Sequence, residues 1–245
     1  MSAQFVHLRL HSEYSLVDGL VRLKPLAAKA AELRMPAIAL TDFNNFFGLV
    51  KFYKAVQGAG VKPILGSDVL IADESGEGSP SQLVLLISNN TGYKNLTTLI
   101  SRGYQEGQRQ GIPTIRLSWL EELNEGLIAL SGGRLGEIGI SLISGRRADA
   151  ETSLKRLMAI FPDRFYLELQ RTGRPDEEDY LHAAVDLADV FSCPLVATND
   201  VRFIAAEEYE AHEARVCIYE GRTLDDPRRE RRYSESQYIR SAEEM

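Results

Sequence analysis

Polar residues that could do chemistry recur in this chain just past short apolar runs, where the carboxyl end of a strand would place them. His11 and Asp18 follow residues 5–10, and Asp42 follows 36–41. Asp68 lies late in 61–72, and Asp200 and Arg202 follow 194–198. Oxygen and imidazole donors gathered at one end of a sheet suit a metal or an anion. A single aspartate after a strand more simply caps a helix, and Asp42, close before a helical segment, is open to that reading. So many matching positions point instead to one pocket.

Arginine argues against a metal in it. Arg9 stands two residues before His11 and Arg202 two after Asp200, so each shares a strand side with its neighbour. A guanidinium only donates hydrogen bonds and cannot ligate a cation. About 5 Å from a dication it would add roughly 6 kcal/mol of repulsion at an effective dielectric of ~20. Beside carboxylates it neutralises them and donates to them. The pocket can therefore hold together with no cofactor, although His11, Asp18, Asp68 and Asp200 leave room for one weakly bound Mg or Mn. Zinc is poorly served, because the chain has four histidines and two cysteines, Cys193 and Cys217, at no zinc-like spacing.

These residues need a scaffold of alternating strands and helices. Strands are expected at 5–10, 36–41, 61–72, 82–88, 126–131, 164–170 and 194–198. Helices are expected at 21–33, 45–56, 93–101, 118–123, 151–160, 177–190 and 207–219, and a loop at 74–81. The interleaving favours a parallel sheet with right-handed crossovers. Closing that sheet hides its edges. The expectation is an α/β fold, an irregular β/α barrel of about seven mostly parallel strands, with an open doubly wound sheet as the alternative. His11-Ser12-Glu13 follows the first strand, where a dinucleotide-binding fold would carry its glycines.

Residues 1–245 read as one domain, with 222–245 a basic loop followed by a helix from Ser234. Arg228, Arg229, Arg231 and Arg232 are either a solvated loop or a contact to nucleic acid or an acidic partner. Phe46, Phe47, Phe52 and Tyr53 read as core, and Trp119 as a packing anchor. His7, His182 and His212 read as structural or surface residues, and Arg171 and Arg174 either line the mouth or fix a loop.

The chain is 44% hydrophobic and 26% charged, with a formal charge of −7 from 28 basic and 35 acidic residues. That balance argues against a free-standing DNA binder, which needs a basic surface to neutralise phosphates. The first residues lack a basic n-region and a hydrophobic signal core, and no apolar run is long enough to span a bilayer. A cytoplasmic setting without membrane contact is expected.

The opening F-V-H-L-R-L-H-S-E-Y-S-L-V-D-G resembles the first motif of the PHP (polymerase and histidinol phosphatase) domain family. The form it resembles stands at the amino terminus of proteobacterial replicative DNA polymerase III alpha subunits. The resemblance runs on through A-L-T-D-F-N-N-F-F-G, V-K-P-I-L-G-S-D, N-E-G-L-I-A-L-S-G-G, F-Y-L-E-L-Q-R-T-G-R-P-D-E and P-L-V-A-T-N-D-V-R-F. It implies a parent chain that is a DNA-directed DNA polymerase, with polymerase domains following this one.

Active members of the family bind up to three metals and act on phosphoester bonds. Of their ligand positions the resemblance leaves His11, Asp18 and Asp200 intact. Arg9, Phe43, Gln82, Gly133, Thr172 and Arg202 stand where other ligands would be, and Asp68 where a glutamate would. The expected role is a degenerate, non-catalytic module that supports the polymerase domains, docks a proofreading exonuclease subunit and meets DNA only within the holoenzyme. The rival expectations are a metal-dependent phosphoesterase or pyrophosphatase, and a module that contacts DNA itself.

Overall fold

The computed structural model describes residues 5–72 and 78–245, so the first part of the expected 74–81 loop lies outside the described residues. The chain forms two compact units. The first takes in the chain up to Leu65, Arg171–Pro175 and Thr198–Met245; the second takes in Gly66–Gln170 and Asp176–Ala197.

In the first unit, helix α1 (Leu23–Glu32) buries Leu23, Leu26, Ala27 and Ala30, the one-sided spacing of an amphipathic helix. These residues share a core with Ile38 and Leu40 of strand β1 (Ala37–Leu40) and with Phe52 and Val56 of helix α2 (Leu49–Gly58). Pro25 sits in the first turn of α1, where its missing N–H costs no hydrogen bond. β1 pairs in parallel with the first half of β2 (Lys62–Ile71), Ala37 opposite Lys62.

Residues 5–10, expected as a strand, form an arm without regular pairing. Ala39 N donates to His7 O (2.8 Å) and Thr41 N to Leu10 O (2.9 Å). On the other side His11 N donates to Val201 O (2.9 Å) and Val201 N to Arg9 O (3.2 Å).

In the second unit the rest of β2 pairs antiparallel with β3 (Ser81–Ile87), and β3 antiparallel with β4 (Leu127–Leu130). β4 runs parallel to β5 (Phe165–Gln170). With β6 (Leu195–Thr198) the hydrogen-bonded order is β1-β2-β3-β4-β5-β6. The α/β class holds, but the expected closed barrel of seven mostly parallel strands is corrected to an open, mixed sheet of six. Two physical reasons account for it. The first expected strand lacks the regular pairing a strand needs, and the link from β2 to β3 is too short for the crossover that parallel pairing requires.

Helices α3 (Asn90–Gln105), α4 (Leu117–Leu123), α5 (Glu137–Ile143), α6 (Arg147–Ile160) and α7 (Glu177–Phe191) belong to the second unit. Trp119 of α4 is buried, with the guanidinium carbons of Arg116 and Arg102 at 5.2 and 5.7 Å from its ring. Sequence reading missed α5, whose seven residues include a glycine and are too few for a clear period.

The last long helix, α8 (Tyr209–Glu220), returns to the first unit, and the helix expected from Ser234 is not formed. The segment forms turns at 235–236 and 242–244, and Phe203 bridges to Tyr238. Asn199 Nδ2 donates to Ser236 O (2.9 Å) and Tyr238 O (2.7 Å), taking carbonyls that a helix would have used. Phe52 is buried as expected, but Phe47 and Tyr53 face solvent. No helix among the described residues is long and apolar enough to cross a membrane.

Candidate functional site

The first unit gathers Arg9, His11, Asp18, Asp42, Phe43, Thr172, Asp200 and Arg202, with Asp200 at the centre. Asp200 follows β6 in the left-handed region (φ 50°), a conformation that aspartate and asparagine tolerate better than most residues. Its Oδ1 accepts from Arg202 Nη2 (2.6 Å) and lies 3.4 Å from Arg9 Nε. Its Oδ2 accepts from Arg174 Nη1 (2.9 Å) and Gln237 Nε2 (3.0 Å). All three arginines are buried with it.

Asp18 completes the set. Its Oδ1 lies 3.0 Å from His11 Nδ1, and its Oδ2 accepts from Arg202 and from the Tyr233 hydroxyl (3.1 Å). Arg202 also reaches His11 Nδ1. Both carboxylate oxygens of Asp200 and Oδ2 of Asp18 thus accept from donors of the protein itself, and Asp18 Oδ1 faces His11 Nδ1. Burial pushes both carboxyls up, but the guanidinium of Arg202 overcomes it, helped by His11 at Asp18 and by Arg9 and Arg174 at Asp200. Both end below the usual carboxylate range, Asp200 well below it. A divalent ion here would have to displace these donors. Among the described residues no group of three His, Cys, Asp or Glu side chains is placed to hold a metal ion.

Asp42 supports the loop that carries Asp18 and does not cap α2, whose N-cap is Gly48. It accepts from Ser12 N (2.6 Å), Ser12 Oγ (2.8 Å) and Ser15 Oγ (2.9 Å). Burial raises its pKa against the pull of those bonds. The Phe43 ring lies 6.3 Å from that of His11. Gly19 closes the same loop, and a Cβ there would collide with the Ser12 carbonyl oxygen. Gly19→Ala is expected to cost about 1–3 kcal/mol by overpacking, measured by urea unfolding.

Residues far along the chain seal the pocket. Beyond Tyr233 and Gln237, Ser234 Oγ donates to the Thr172 carbonyl (2.5 Å), and the His212 ring contacts Asp18 O (2.9 Å) and stacks edge-on against Tyr233. His7 Nε2 lies 2.9 Å from Arg240 O, and burial lowers its pKa to about 4. Tyr233 and Gln237 carried no signal in the sequence, because a lone tyrosine and glutamine in a polar tail look like surface residues. Arg174, which the sequence allows either to line the mouth or to fix a loop, joins the pocket through its ion pair with Asp200 (2.9 Å).

Three expected site residues belong to the second unit. Asp68 is buried on β2 opposite Val84, and Gln82 sits on β3 opposite Leu70. Gly133 is left-handed (φ 60°), and a Cβ there would come within 3.1 Å of Gln170 Oε1. Buried Glu168, which accepts from Gln170 Nε2 (2.9 Å), is a further polar residue that sequence reading passed over.

Of the arginine cluster, Arg229 is half-buried against Glu213 (2.6 Å), while Arg228, Arg231 and Arg232 are exposed, Arg228 pairing with Asp226 (2.9 Å) and Arg232 with Glu230 (3.1 Å).

Comparison with known proteins places these features. A family model described as the PHP domain matches residues 7–172. DNA polymerase III subunit alpha of Pseudomonas fluorescens is 58% identical over 245 residues, all of this chain and 21% of that protein. The Escherichia coli K12 protein of the same name is 56% identical over 242 residues, 99% of this chain and again 21% of the relative. The chain thus spans about a fifth of the length of these curated relatives.

Among solved structures, an amidohydrolase from Chromobacterium violaceum superposes with a TM-score of 0.54 at 15% identity, covering 86% of this chain and 96% of that one. A protein from Bifidobacterium adolescentis assigned as a metal-dependent phosphoesterase gives 0.53 at 11%, covering 81% and 87%. At such identities the likeness is one of fold.

Proposed function

The chain belongs to the PHP domain family, and from that premise we propose that it is the amino-terminal PHP domain of a DNA polymerase III alpha subunit, with a pocket kept for structure rather than catalysis. In this reading the full parent chain is a DNA-directed DNA polymerase of the cytoplasm. This domain supports its polymerase domains, docks the separate proofreading exonuclease subunit and meets DNA only within the holoenzyme. The identity to alpha subunits over the whole chain supports the parentage.

The observation that carries the non-catalytic role is that internal donors occupy both oxygens of Asp200 and Oδ2 of Asp18. Metal-assisted phosphoester hydrolysis needs free ligand oxygens to hold the ions that polarise the phosphoryl group and generate hydroxide. Here Arg202 and its partners do the charge balancing that cations do in a metal site. The pairing of half-buried Arg229 with Glu213 favours a scaffolding role for that one arginine of the cluster.

The purified parent chain, with and without EDTA, tests this reading. Chelation is expected to leave its unfolding midpoint unchanged, and added manganese to produce no turnover of a generic phosphodiester. Titration with the exonuclease subunit should give a complex at micromolar concentrations, as expected for an interface of ~1,000–1,600 Å². Stoichiometric manganese together with turnover abolished by Asp18→Asn would overturn the pocket reading. No complex at tens of micromolar would overturn the docking.

A further inference from the structure

Phe47 and Tyr53, expected inside, are part of an exposed set. α2 buries Leu49, Phe52 and Val56 and turns Val50, Tyr53 and Lys54 outward. Phe47 precedes it, so Phe47, Val50, Lys51 and Lys54 follow the i, i+3, i+4, i+7 spacing of one helix face. Phe47 and Val50 are 60% and 61% exposed.

Leu16, 62% exposed, stands at the apex of a three-residue turn closed by Val17 N donating to Ser15 O (2.7 Å). Its φ of 64° and ψ of −49° are strained for a residue with a side chain. The turn is anchored to α2. Lys51 Nζ donates to Tyr14 Oη (2.6 Å), Asn45 Nδ2 donates to Tyr14 O (3.0 Å), and a Cβ on Gly48 would come within 2.8 Å of the Tyr14 ring. From the far side Arg215 Nε donates to Leu16 O (3.0 Å). Apolar side chains are therefore held in solvent by a built framework.

The charge around them runs against that of the whole molecule. Residues 13–62, which include Leu16, hold seven basic and four acidic side chains in a chain of net −7, and Asp42, one of the four acids, is buried. Arg22, Lys24, Lys51 and Lys54 are exposed on the two packed helices.

We propose that the outer face of α2, with Leu16, docks a protein segment whose apolar anchors alternate with acidic residues. Apolar anchors supply contact energy in such recognition, and opposite charge steers it. Single-stranded nucleic acid suits the face less well. Phe47 and Tyr53 offer rings on which a base could stack, but Val50 and Leu16 do not, α2 has no arginine, and Lys51 is engaged with Tyr14. The inference is independent of the reading of the pocket.

Fluorescence anisotropy on the full-length parent chain tests it. The probe is a labelled synthetic helix with leucine and phenylalanine at every third or fourth position among glutamates. Binding is expected, and Val50→Glu and Lys54→Glu should each weaken it about tenfold or more without shifting the unfolding midpoint. A scrambled peptide of the same composition should not bind.

Equal binding of the scrambled peptide, unchanged affinity in both variants, or no binding at all would overturn the proposal. In the last case three further measurements identify the true occupant. Slow maleimide labelling of Val50→Cys would point to other domains of the parent chain. Oligonucleotide binding lost in Lys54→Glu would point to nucleic acid, and self-association lost in Val50→Glu to a second copy.

Discussion

Asp200→Asn is expected to lower the free energy of unfolding by about 3–5 kcal/mol, the cost of removing one partner from a buried ion pair. The substitution is close to isosteric, and asparagine accepts the left-handed backbone at this position as readily as aspartate, so the measured loss reports charge rather than shape. Three buried guanidiniums, those of Arg9, Arg174 and Arg202, share this carboxylate. Without it they repel one another in a poorly solvated space. Urea unfolding followed by circular dichroism measures the change. A metal-ligand role for Asp200 predicts the opposite pattern, lost metal affinity with stability nearly intact. A loss below about 1 kcal/mol, the value typical of exposed pairs, would show that the network does not hold the unit together.

The same network should make the protein sensitive to acid in a defined window. Asp18 and Asp200 have folded pKa values below the ordinary carboxylate range. The stability they contribute is present in full above that range, about pH 4, and is lost as pH falls through it toward the folded values. Asp42 works the other way: its pKa is raised, so protonation favours its folded form and offsets part of the loss.

Between about pH 6 and pH 2.5 the unfolding free energy is expected to fall by several kcal/mol. The gap between the parent sequence and Asp200→Asn should narrow over the same range, because the variant has lost the group that titrates. A gap that stays constant down to pH 2.5 would mean that the pKa of Asp200 does not differ between the folded and the unfolded protein.

Much of the first unit was legible because its signals are local. The spacing of Leu23, Leu26, Ala27 and Ala30 and the unbroken run of β1 each define an element without distant help. The strand-end positions of His11, Asp18 and Asp200, with arginines two residues from His11 and Asp200, are local signals of the same kind, and these residues lie together in the first unit. Strand pairing was harder to read. A buried strand looks the same in a parallel or an antiparallel neighbourhood, so β3 gave no sign of its direction. Tyr233 and Gln237 were invisible for a different reason: they meet Asp18 and Asp200 across 215 and 37 residues of chain. Phe47 and Tyr53 misled because aromatic residues are usually inside.

The bond from His7 to the carbonyl of Arg240 joins positions 233 residues apart, and the unit that contains both is assembled from three separate stretches of chain. A ribosome delivers those stretches in order, so the arm that opens the fold must wait for nearly the whole domain to be synthesised before it finds its last partner. The second unit comes mostly from one continuous stretch and can start to fold while that wait continues. Order of synthesis alone therefore makes the arginine–carboxylate pocket the last part of the domain to form, and any pause in translation before Arg240 leaves its charges bare.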